Sequence, residues 1–432
     1  MNLLKTFLII FLCGAASSAQ EMIPYRKGDL WGFSDRSRNI IISSKYDYVE
    51  PFKNGFAKVG KNDLTGFIDA TGKEIVPVEY AYAGNYSDGL FAVQKGDKWG
   101  YVDAAGKTVI PFIYGYGQDF NNGAAIISND WVYGIIDKTG KLIVPVQYGT
   151  AEHFSDNLVK LLFEKKFYFA DHKGKVSKAL PYNYIGYLND GLAFVRRSSD
   201  SKWGYIDSTG KEVIPCRYLE GKDFNNGRAI VQTEKGTGVI DTKGNFIIQP
   251  KYSSIDDMFG GFNNGIASAR RDTVTILLKE NGGEIPLPGG YSLVGQFKEG
   301  MMSAYVNNKL TFINEKGETV IPPTDKYNNV YPFDDGVTAV GKGNRSFTKW
   351  GYIDKSGQEI IPLQYDEAKP FKKGVAIVKK GNMWGLIDKT GKEVTPLKYG
   401  DLKETFDFKG IYEVKIKGKS GYIDSSGMEY FE

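Results

Sequence analysis

One string of residues recurs along almost the whole chain, and it constrains the fold more than any other feature. DKWGYVDAAGKTVIP from Asp97 and SKWGYIDSTGKEVIP from Ser201 are near copies, and KWGYIDKSGQEIIP from Lys349 repeats them. A period of about 34 to 40 residues indicates tandem structural units, each of which buries its apolar face against the next. With Arg38 in the place of the first turn glycine we count twelve units. The other turn glycines are Gly72, Gly106, Gly140, Gly174, Gly210, Gly244, Gly282, Gly317, Gly357, Gly391 and Gly427.

Each unit is typical of a short β-meander. In one unit we predict strands at Gly191–Val195, Trp203–Asp207 and Glu212–Ile214, because apolar and polar residues alternate and β-branched and aromatic residues are frequent. Glycine makes up 52 of 432 residues, about 12% against a usual share of about 7%, so many tight turns are expected. The sequence therefore predicts an all-β fold of tandem β-meander repeats.

The turns and strand ends of the units also follow a pattern. An Asp-x-Thr/Ser-Gly turn joins the second and third strands, and its aspartate is expected to accept backbone N–H groups while glycine takes the left-handed conformation. Proline is expected to end the third strand, since it lacks a donor, and a tyrosine follows three residues later, as in Pro111 and Tyr114. A Phe-x-x-Gly signature then precedes the next strand, as in Phe120 to Gly123.

The order of these signatures resembles that of the bacterial WG-repeat family, over about Leu30 to Glu429. The resemblance implies a β-rich repeat structure, often found in secreted or surface proteins, and implies no catalytic residues that could be carried over. Trp131 departs from the motif by two positions, and Tyr133 fills its slot. The tryptophans at the motif position are Trp31, Trp99, Trp203, Trp350 and Trp384.

The twelve units can be arranged in two ways. Twelve units exceed the usual four to eight blades of one propeller, which leaves an elongated curved array or one or two propeller-like rings. The chain starts near a first strand, Met22 to Arg26, and stops at a third strand, Met428 to Phe431. Because no terminal strand is evidently exchanged across a seam, we expect the elongated array, with the ring as the alternative.

The first twenty residues are typical of a secretory signal peptide. Lys5 precedes an apolar run from Phe7 to Leu12, and Ser17 and Ala19 are spaced for a signal peptidase. We predict a signal peptide at residues 1–19 and twelve WG-type repeats at residues 20–432. Lipid attachment at Cys13 is the less favoured alternative, since Phe11 and Leu12 precede it. No window is long and apolar enough for a transmembrane helix, so we expect a secreted, periplasmic or cell-surface protein.

Composition excludes several functions. The formal net charge of +4 offers no basic stripe for nucleic acid. His153 and His172 are the only histidines, and without a carboxylate motif between them we expect no metal site. Cys216 occupies a slot that is apolar in other units, so an inert thiol is expected. The turn aspartates are expected to cap turns, because one carboxylate per turn does not make a calcium loop.

We therefore predict no catalytic, cofactor-binding or metal-binding residues and no cofactor. Aromatic rings stacked from unit to unit could form a ladder for sugars or peptides, but rings at fixed positions are expected to build the core, Trp203 among them. Units that break the pattern, Arg270 to Gln296 and the insert Gly341 to Thr348, are the other candidate places. The predicted function is a non-catalytic interaction surface for an unknown protein or glycan ligand. The alternatives are a carbohydrate-active enzyme with an unidentified carboxylate pair and a purely structural repeat protein.

Overall fold

The fold is seen in a computed structural model, which describes residues 21–256, 262–344, 347–405 and 408–432. Within these ranges the structure contains no helix. It consists of 44 β-strands in twelve separate sheets. The prediction of an all-β chain of tandem meanders is confirmed. The predicted signal peptide, with Cys13, lies outside the described residues.

The sheets follow one another in chain order, and we number them 1 to 12. The strands of sheets 1 to 3 are β1 (Ile23–Lys27), β2 (Leu30–Ser34), β3 (Ile40–Tyr46); β4 (Tyr48–Val49), β5 (Phe56–Lys61), β6 (Leu64–Asp69), β7 (Glu74–Tyr80); and β8 (Tyr82–Ser87), β9 (Leu90–Lys95), β10 (Lys98–Asp103), β11 (Thr108–Tyr114). Those of sheets 4 to 6 are β12 (Tyr116–Gly117), β13 (Ala124–Asn129), β14 (Val132–Asp137), β15 (Leu142–Tyr148); β16 (Thr150–Ser155), β17 (Leu158–Phe163), β18 (Lys166–Asp171); and β19 (Tyr182–Ile185), β20 (Leu192–Arg197), β21 (Trp203–Asp207), β22 (Glu212–Tyr218).

The second half of the chain repeats this arrangement. The strands of sheets 7 to 9 are β23 (Glu220–Gly221), β24 (Arg228–Thr233), β25 (Gly236–Asp241), β26 (Phe246–Tyr252); β27 (Ser254–Ile255), β28 (Ile266–Arg271), β29 (Val274–Lys279), β30 (Glu284–Pro286); and β31 (Tyr291–Lys298), β32 (Met301–Val306), β33 (Lys309–Asn314), β34 (Thr319–Thr324). Those of sheets 10 to 12 are β35 (Asn329–Val330), β36 (Val337–Gly343), β37 (Thr348–Asp354), β38 (Glu359–Tyr365); β39 (Glu367–Ala368), β40 (Val375–Lys380), β41 (Met383–Asp388); and β42 (Asp401–Glu404), β43 (Ile411–Ile416), β44 (Lys419–Asp424).

A complete sheet contains four antiparallel strands, which we call A to D in chain order. Strands B, C and D are the three strands expected from the sequence, and strand A is an additional one that is often only two residues long, as in β12. Sheet 1 starts at strand B in the described residues. The short strand A escaped sequence reasoning because two residues show no alternation.

The turn between strands C and D folds as predicted. Asp69 accepts hydrogen bonds through Oδ1 from the backbone N–H of Thr71 (2.9 Å), from the Thr71 hydroxyl (2.6 Å) and from the backbone N–H of Lys73 (3.1 Å). The same pattern recurs at Asp207 and Asp388, among others. The turn aspartates therefore serve as caps, which is what their spacing predicted.

The prediction that proline ends the last strand was wrong. β11 runs through Pro111 to Tyr114, and the pairing with β10 shifts register between the pairs Trp99↔Tyr114 and Tyr101↔Ile110. An irregular register leaves a residue without a ladder partner, and proline fits there because it has no N–H to satisfy.

The core lies between the sheets. Each pair of neighbouring sheets encloses one cluster of buried side chains, such as Tyr101 and Ile110 of sheet 3 packed with Phe120 and Ile127 of sheet 4. The twelve clusters include one in which Ile23 of sheet 1 packs with side chains of sheet 12. Neighbouring units therefore stabilise each other all the way round, as expected when a unit cannot bury its apolar face alone.

The first and last sheets are joined by hydrogen bonds. Arg26 N donates to the carbonyl of Tyr430 (3.1 Å), Glu432 N donates to the carbonyl of Arg26 (3.0 Å), and Gly28 N donates to the carbonyl of Glu432 (3.3 Å). Arg26 and Phe431 thus form a parallel bridge. Of the two arrangements left open by the sequence, the closed propeller-like ring is observed, and the elongated curved array is not. The sequence favours the elongated array because no terminal strand is evidently exchanged across a seam. The ring closes instead through a segment of about three residues, and so short a segment has no recognisable strand pattern.

A tyrosine hydroxyl supports some of the contacts between units. In four places it donates to a glutamate 30 or 32 residues further along the chain, and Tyr25 makes a similar bond to Glu432 across the seam (2.7 Å). A hydrogen bond to a charged group contributes about 1.5 to 3 kcal/mol when it is shielded from water. The repeated pairs are Tyr182–Glu212 (3.0 Å), Tyr252–Glu284 (2.6 Å), Tyr327–Glu359 (3.1 Å) and Tyr399–Glu429 (2.6 Å).

Candidate ligand-binding groove

The units differ most clearly at the strand A position that pairs with the fifth residue of strand B. Register with strand B aligns this position in all the sheets that have a strand A. Tyrosine occupies it in four of sheets 2 to 6, whereas sheets 7 to 12 carry only small polar or acidic residues there. The residues are Tyr48, Tyr82, Tyr116, Thr150, Tyr184, Glu220, Ser254, Ser292, Asn329, Glu367 and Asp401.

Two of these tyrosines flank a tryptophan. The ring centroids of Tyr82 and Trp99 are 5.7 Å apart, and those of Trp99 and Tyr116 are 5.5 Å apart. Trp99 is only 8% exposed, while Tyr82 is 61% and Tyr116 is 39% exposed. The tryptophan therefore supports the cluster, and the two tyrosines present aromatic surface to solvent.

Strand pairing places these rings side by side. Tyr82 pairs with Gln94, Gln94 pairs with Trp99, and Trp99 pairs with Tyr114, so the four side chains form one row across sheet 3. Tyr116 joins the row from strand A of sheet 4. The glycine after the tryptophan, Gly100, allows β10 and β11 to approach closely, because a Cβ there would lie 2.7 Å from the carbonyl oxygen of Ile110.

The rings line one end of a groove between sheets 3 and 4, which we call the aromatic groove. Its volume is about 660 Å³, within the usual range of about 300 to 1,000 Å³ for ligand sites. The hydroxyl of Tyr101 donates to the carbonyl of Gln118 (2.8 Å) and fixes strand A of sheet 4 against sheet 3. The groove is lined by Tyr82, Gly84, Ser87, Gln94, Trp99, Tyr116, Gly117, Gln118, Asp119, Phe120, Asn121 and His153.

Asp119 forms the acidic part of the wall. Its carboxylate accepts the backbone N–H of Asn85 at 3.1 and 3.0 Å from the two oxygens. The carboxylate lies against Gly84, where a Cβ would come within 1.9 Å of Oδ1, so a side chain at that position would displace it. Burial raises the pKa of Asp119 above its ordinary value, although the bonds from Asn85 oppose this. Asp119 is the only carboxyl group in the described lining.

Three other polar side chains in the groove have unused hydrogen-bonding capacity. Within the described part of the chain, neither ring nitrogen of His153 has a hydrogen-bond partner, and the side-chain amides of Gln94 and Gln118 have none either. Burial, and then the neighbouring His172, lower the pKa of His153. A neutral imidazole and two amides can each both donate and accept hydrogen bonds.

The two histidines are brought closer than the sequence suggested. Their ring centroids are 6.2 Å apart with an edge-to-face orientation, and Nδ1 of His172 lies 3.0 Å from the carbonyl oxygen of Asn122. The described residues contain no cluster of three or more histidine, cysteine, aspartate or glutamate side chains suited to a metal ion.

The equivalent groove between sheets 7 and 8 provides an internal comparison. Glu220, Gln232, Thr237 and Ser254 stand where sheets 3 and 4 have Tyr82, Gln94, Trp99 and Tyr116. The backbone support differs, because Val239 stands where sheet 3 has Tyr101. The equivalent tyrosine bond, from Tyr205 to the carbonyl of Lys222 (2.7 Å), joins sheets 6 and 7 instead. This matched groove has no aromatic cluster and a volume of about 200 Å³. The aromatic lining is therefore a property of particular units, and the repeat itself does not need it.

Another cavity, of about 450 Å³, extends from sheet 6 over sheet 7 to sheet 8, and both acidic and basic side chains line it. Asp190 accepts the backbone N–H of Gly227 (2.7 Å), and Glu280 pairs with Arg228 (2.9 Å). Because Asp190 and Glu280 already bind protein groups and the described lining has no exposed aromatic pair, the cavity offers less to a ligand than the aromatic groove does.

Cys216 is half-buried against the core between sheets 5 and 6, and burial, followed by nearby Glu212, raises its pKa to about 11. Trp203 packs on Phe194 (5.1 Å) and Tyr184 (5.5 Å), although it is only partly buried.

The places where the pattern breaks are less distinctive than the groove. Arg270 to Gln296 folds as strands of sheets 8 and 9. The insert Gly341 to Thr348 is described except for residues 345–346. Trp131, which departs from the motif, is 84% exposed at the turn between β13 and β14.

Sequence reasoning missed the groove because its lining comes from three successive units. One signal was present: the tyrosines two residues after the D-strand tyrosine, Tyr82 and Tyr116 after Tyr80 and Tyr114, occur only in the first half of the chain. Comparison of aligned units at that single position could have revealed it.

Comparison with known protein families and structures completes the description. The model of the WG containing repeat matches residues 31–64, 66–99, 99–130, 133–166, 203–235, 238–272, 311–345, 350–384 and 384–419. No curated protein matches the sequence. In the described residues no helix is long and apolar enough to cross a membrane.

Several solved structures share a distant likeness with the chain. A eukaryotic initiation factor is 11% identical, with 72% of this chain and 96% of that chain covered and a TM-score of 0.34. The tricorn protease is 12% identical, with 92% and 49% covered and a TM-score of 0.29. PorZ, a surface component of the type-IX secretion system of Porphyromonas gingivalis, is 10% identical, with 89% and 68% covered and a TM-score of 0.24. Likenesses this distant support no functional inference.

Proposed function

The chain belongs to the WG containing repeat family, and from this premise we propose that it is a secreted, non-catalytic binding protein that holds its ligand in the aromatic groove. The observation that carries the proposal is the exposed pair Tyr82 and Tyr116 around Trp99. An exposed aromatic cluster in a concave site, next to a few polar groups, is the usual make-up of a ligand site.

The internal comparison supports binding over a purely structural role. If the rings served only to hold neighbouring sheets together, the matched groove with Glu220, Thr237 and Ser254 would need them as well. Sheets 7 and 8 nevertheless pack through a buried cluster of their own. The tyrosine surface is therefore available for another task.

The carboxyl groups favour binding over hydrolysis. Glycosidases of the common kind use two carboxyl groups that flank the bond to be cleaved, and Asp119 is the only one among the described lining residues. The carbohydrate-active enzyme is thus the weaker alternative. The sequence of Met1 to Gln20 supports secretion.

The proposal is tested by fluorine NMR of protein labelled with 5-fluorotryptophan, in which Trp99→Phe assigns the Trp99 signal. The probes are neutral hexasaccharides and a panel of random peptides. We expect at least one probe to shift the Trp99 signal saturably, and Tyr116→Ala to abolish the shift. Ser254→Ala, at the equivalent position of the matched groove, is the control and should leave the shift unchanged. If no probe shifts the Trp99 signal, or if Tyr116→Ala has no effect, the proposal is wrong.

A further inference from the structure

We propose that the ligand of the aromatic groove is an uncharged carbohydrate chain. This inference rests on the proposed function and specifies the chemical class that the groove recognises. Four features of the groove support it: its aromatic surfaces, its amide and imidazole groups, its charge and its short strand edge.

The aromatic surfaces suit a sugar ring. A pyranose has an apolar face of C–H groups and a rim of hydroxyls, so it can cover an aromatic ring without burying its polar groups. Tyr82 and Tyr116 offer such rings on either side of Trp99 and are both solvent-exposed. Their own hydroxyls can stay in water while the ring faces are covered.

The polar groups suit hydroxyls. A sugar hydroxyl donates one hydrogen bond and accepts others, and it can therefore pair with either end of a side-chain amide. Gln94, Gln118 and the neutral ring of His153 lie in the groove without partners among the described residues. Buried polar groups are normally hydrogen-bonded, and of these three side chains only His153 has buried polar atoms without a partner. The amides of Gln94 and Gln118 are partly exposed and can pair with the hydroxyls of a ligand in place of water.

The charge of the groove selects against acidic sugars. Its described lining contains no lysine or arginine, and its one carboxylate is Asp119. An anionic chain would meet this carboxylate, and like charges at short range repel each other. Lys58, outside the lining, offsets this only weakly, since it is the smallest of the influences on the pKa of Asp119. A neutral chain can instead donate hydroxyl hydrogen bonds to the Asp119 oxygens, which have room for more than the bonds from Asn85.

The sheet edges at the groove offer few free backbone groups to an extended peptide. Peptides often add a strand to an exposed sheet edge and are held by backbone hydrogen bonds. Strand A of sheet 4 is only Tyr116–Gly117, and the N–H of Gln118 already donates to the carbonyl of Ile126 (2.9 Å). Strand A of sheet 3 is longer, Tyr82–Ser87, but its pairing is irregular between Ala83 and Tyr86, and the N–H of Asn85 within it is bound to Asp119. Recognition through side chains, as for a sugar, fits these edges better.

The ligand is expected to be a chain because further tyrosines stand at the same repeat position outside the groove, with Thr150 of sheet 5 as the one interruption. Tyr48 in sheet 2 and Tyr184 in sheet 6 occupy the same repeat position as Tyr82 and are 38% and 40% exposed. Tyr184 also lies against Trp203 (5.5 Å). A longer chain could contact these rings as well, so affinity should rise with chain length.

Isothermal titration calorimetry of the full-length mature protein tests the inference. The probes are the hexasaccharides of β-1,4-glucose, α-1,4-glucose, β-1,4-mannose, β-1,4-xylose and β-1,4-N-acetylglucosamine, with hexagalacturonate as the anionic probe and the peptide panel as the protein-like one. We expect saturable binding of at least one neutral hexasaccharide, weaker binding of its trisaccharide, and no binding of hexagalacturonate.

Matched variants locate the binding. Tyr82→Ala and Gln94→Ala should weaken binding about tenfold or more, which corresponds to about 1.4 kcal/mol. Glu220→Ala and Gln232→Ala change the equivalent positions of the matched groove and should alter the dissociation constant less than about twofold. Thermal unfolding of each variant shows whether the fold is retained. Gln94→Ala carries the test if Tyr82→Ala does not fold, since Gln94 is partly exposed.

The outcomes separate this inference from the proposed function. If peptides bind in the groove and no neutral hexasaccharide does, the carbohydrate assignment is wrong while the binding function stands. If hexagalacturonate binds as tightly as the neutral chains, the inference from charge is wrong. If neutral chains bind but Tyr82→Ala and Gln94→Ala bind equally well, the assignment to this groove is wrong. If neither class of probe binds, both proposals fail.

Discussion

Closure of the ring can be tested at its last residues. Tyr430 has no exposed surface, packs in the cluster of Ile23 and Tyr25, and donates from its hydroxyl to the carbonyl of Arg36 (3.1 Å). Truncation of a buried aromatic side chain usually costs about 3 to 5 kcal/mol. We therefore expect Tyr430→Ala to destabilise the junction of sheets 1 and 12 by about 4 kcal/mol.

Deletion of residues 430–432 should have a larger effect. It also removes the three backbone hydrogen bonds that join these residues to Arg26 and Gly28, each with a net contribution of about 1 kcal/mol. The expected cost is about 7 kcal/mol at the seam. Because sheets 5 to 8 do not touch the seam, their own clusters should persist.

Hydrogen exchange measured by mass spectrometry distinguishes a local from a global effect. We expect both changes to raise exchange in β1 to β3 and in β42 to β44, with little change in sheets 5 to 8. Met428→Ala changes an exposed residue of the same terminal segment and should leave exchange unaltered. If deletion of residues 430–432 leaves sheet 1 as protected as before, the seam is not closed by this segment and the open array becomes the better description.

The other predictions concern the helix content, the packing of Trp203, the pH dependence of stability and the number of sheets. Far-ultraviolet circular dichroism should show very little helix, and a helical content of a third or more would contradict the fold. Trp203→Ala should lower the free energy of unfolding by about 3 kcal/mol, which is the lower end for the truncation of an aromatic side chain, because the ring is half-buried. Unchanged thermal stability of this variant would refute the packing role of Trp203. Hydrogen bonds from Lys251, Tyr252 and Arg271 lower the pKa of Glu284 to about 2. Ionised Glu284 should therefore stabilise the fold above its ordinary pKa of about 4.5, and this contribution is lost as the pH falls towards 2. In Glu284→Gln, the free energy of unfolding should consequently depend less on pH between about 4.5 and 2. Removal of sheets 3 and 4 should abolish cooperative folding, because ten sheets cannot close with the same angles between neighbours; a folded remainder of undiminished stability would contradict ring closure.

The sequence predicted the features that depend only on residues within one unit. Strands B to D follow from alternation, and the turn around Asp207 follows from the local geometry of aspartate and glycine. The glutamate at the start of strand D, such as Glu284, was visible in the repeat, but its partner Tyr252 belongs to the preceding sheet. Local patterns therefore identified the elements and left out the contacts between them.

The two features that the sequence did not predict, ring closure and the aromatic groove, depend on how different units are placed relative to each other. Ring closure rests on backbone bonds between Arg26 and residues about four hundred positions away, and a repeat period says nothing about the angle between successive units. The aromatic groove needs Tyr82, Trp99 and Tyr116 from two sheets and His153 from a third. Only the structure places these side chains together.

The most direct test of the binding site is a crystal structure of the mature protein with the neutral hexasaccharide that binds most tightly. We predict sugar density in the aromatic groove, with one ring against Tyr82 or Tyr116 and hydroxyls within hydrogen-bond distance of Gln94, Asp119 or His153. Density in the matched groove of sheets 7 and 8, or elsewhere on the ring with the aromatic groove empty, would contradict the account.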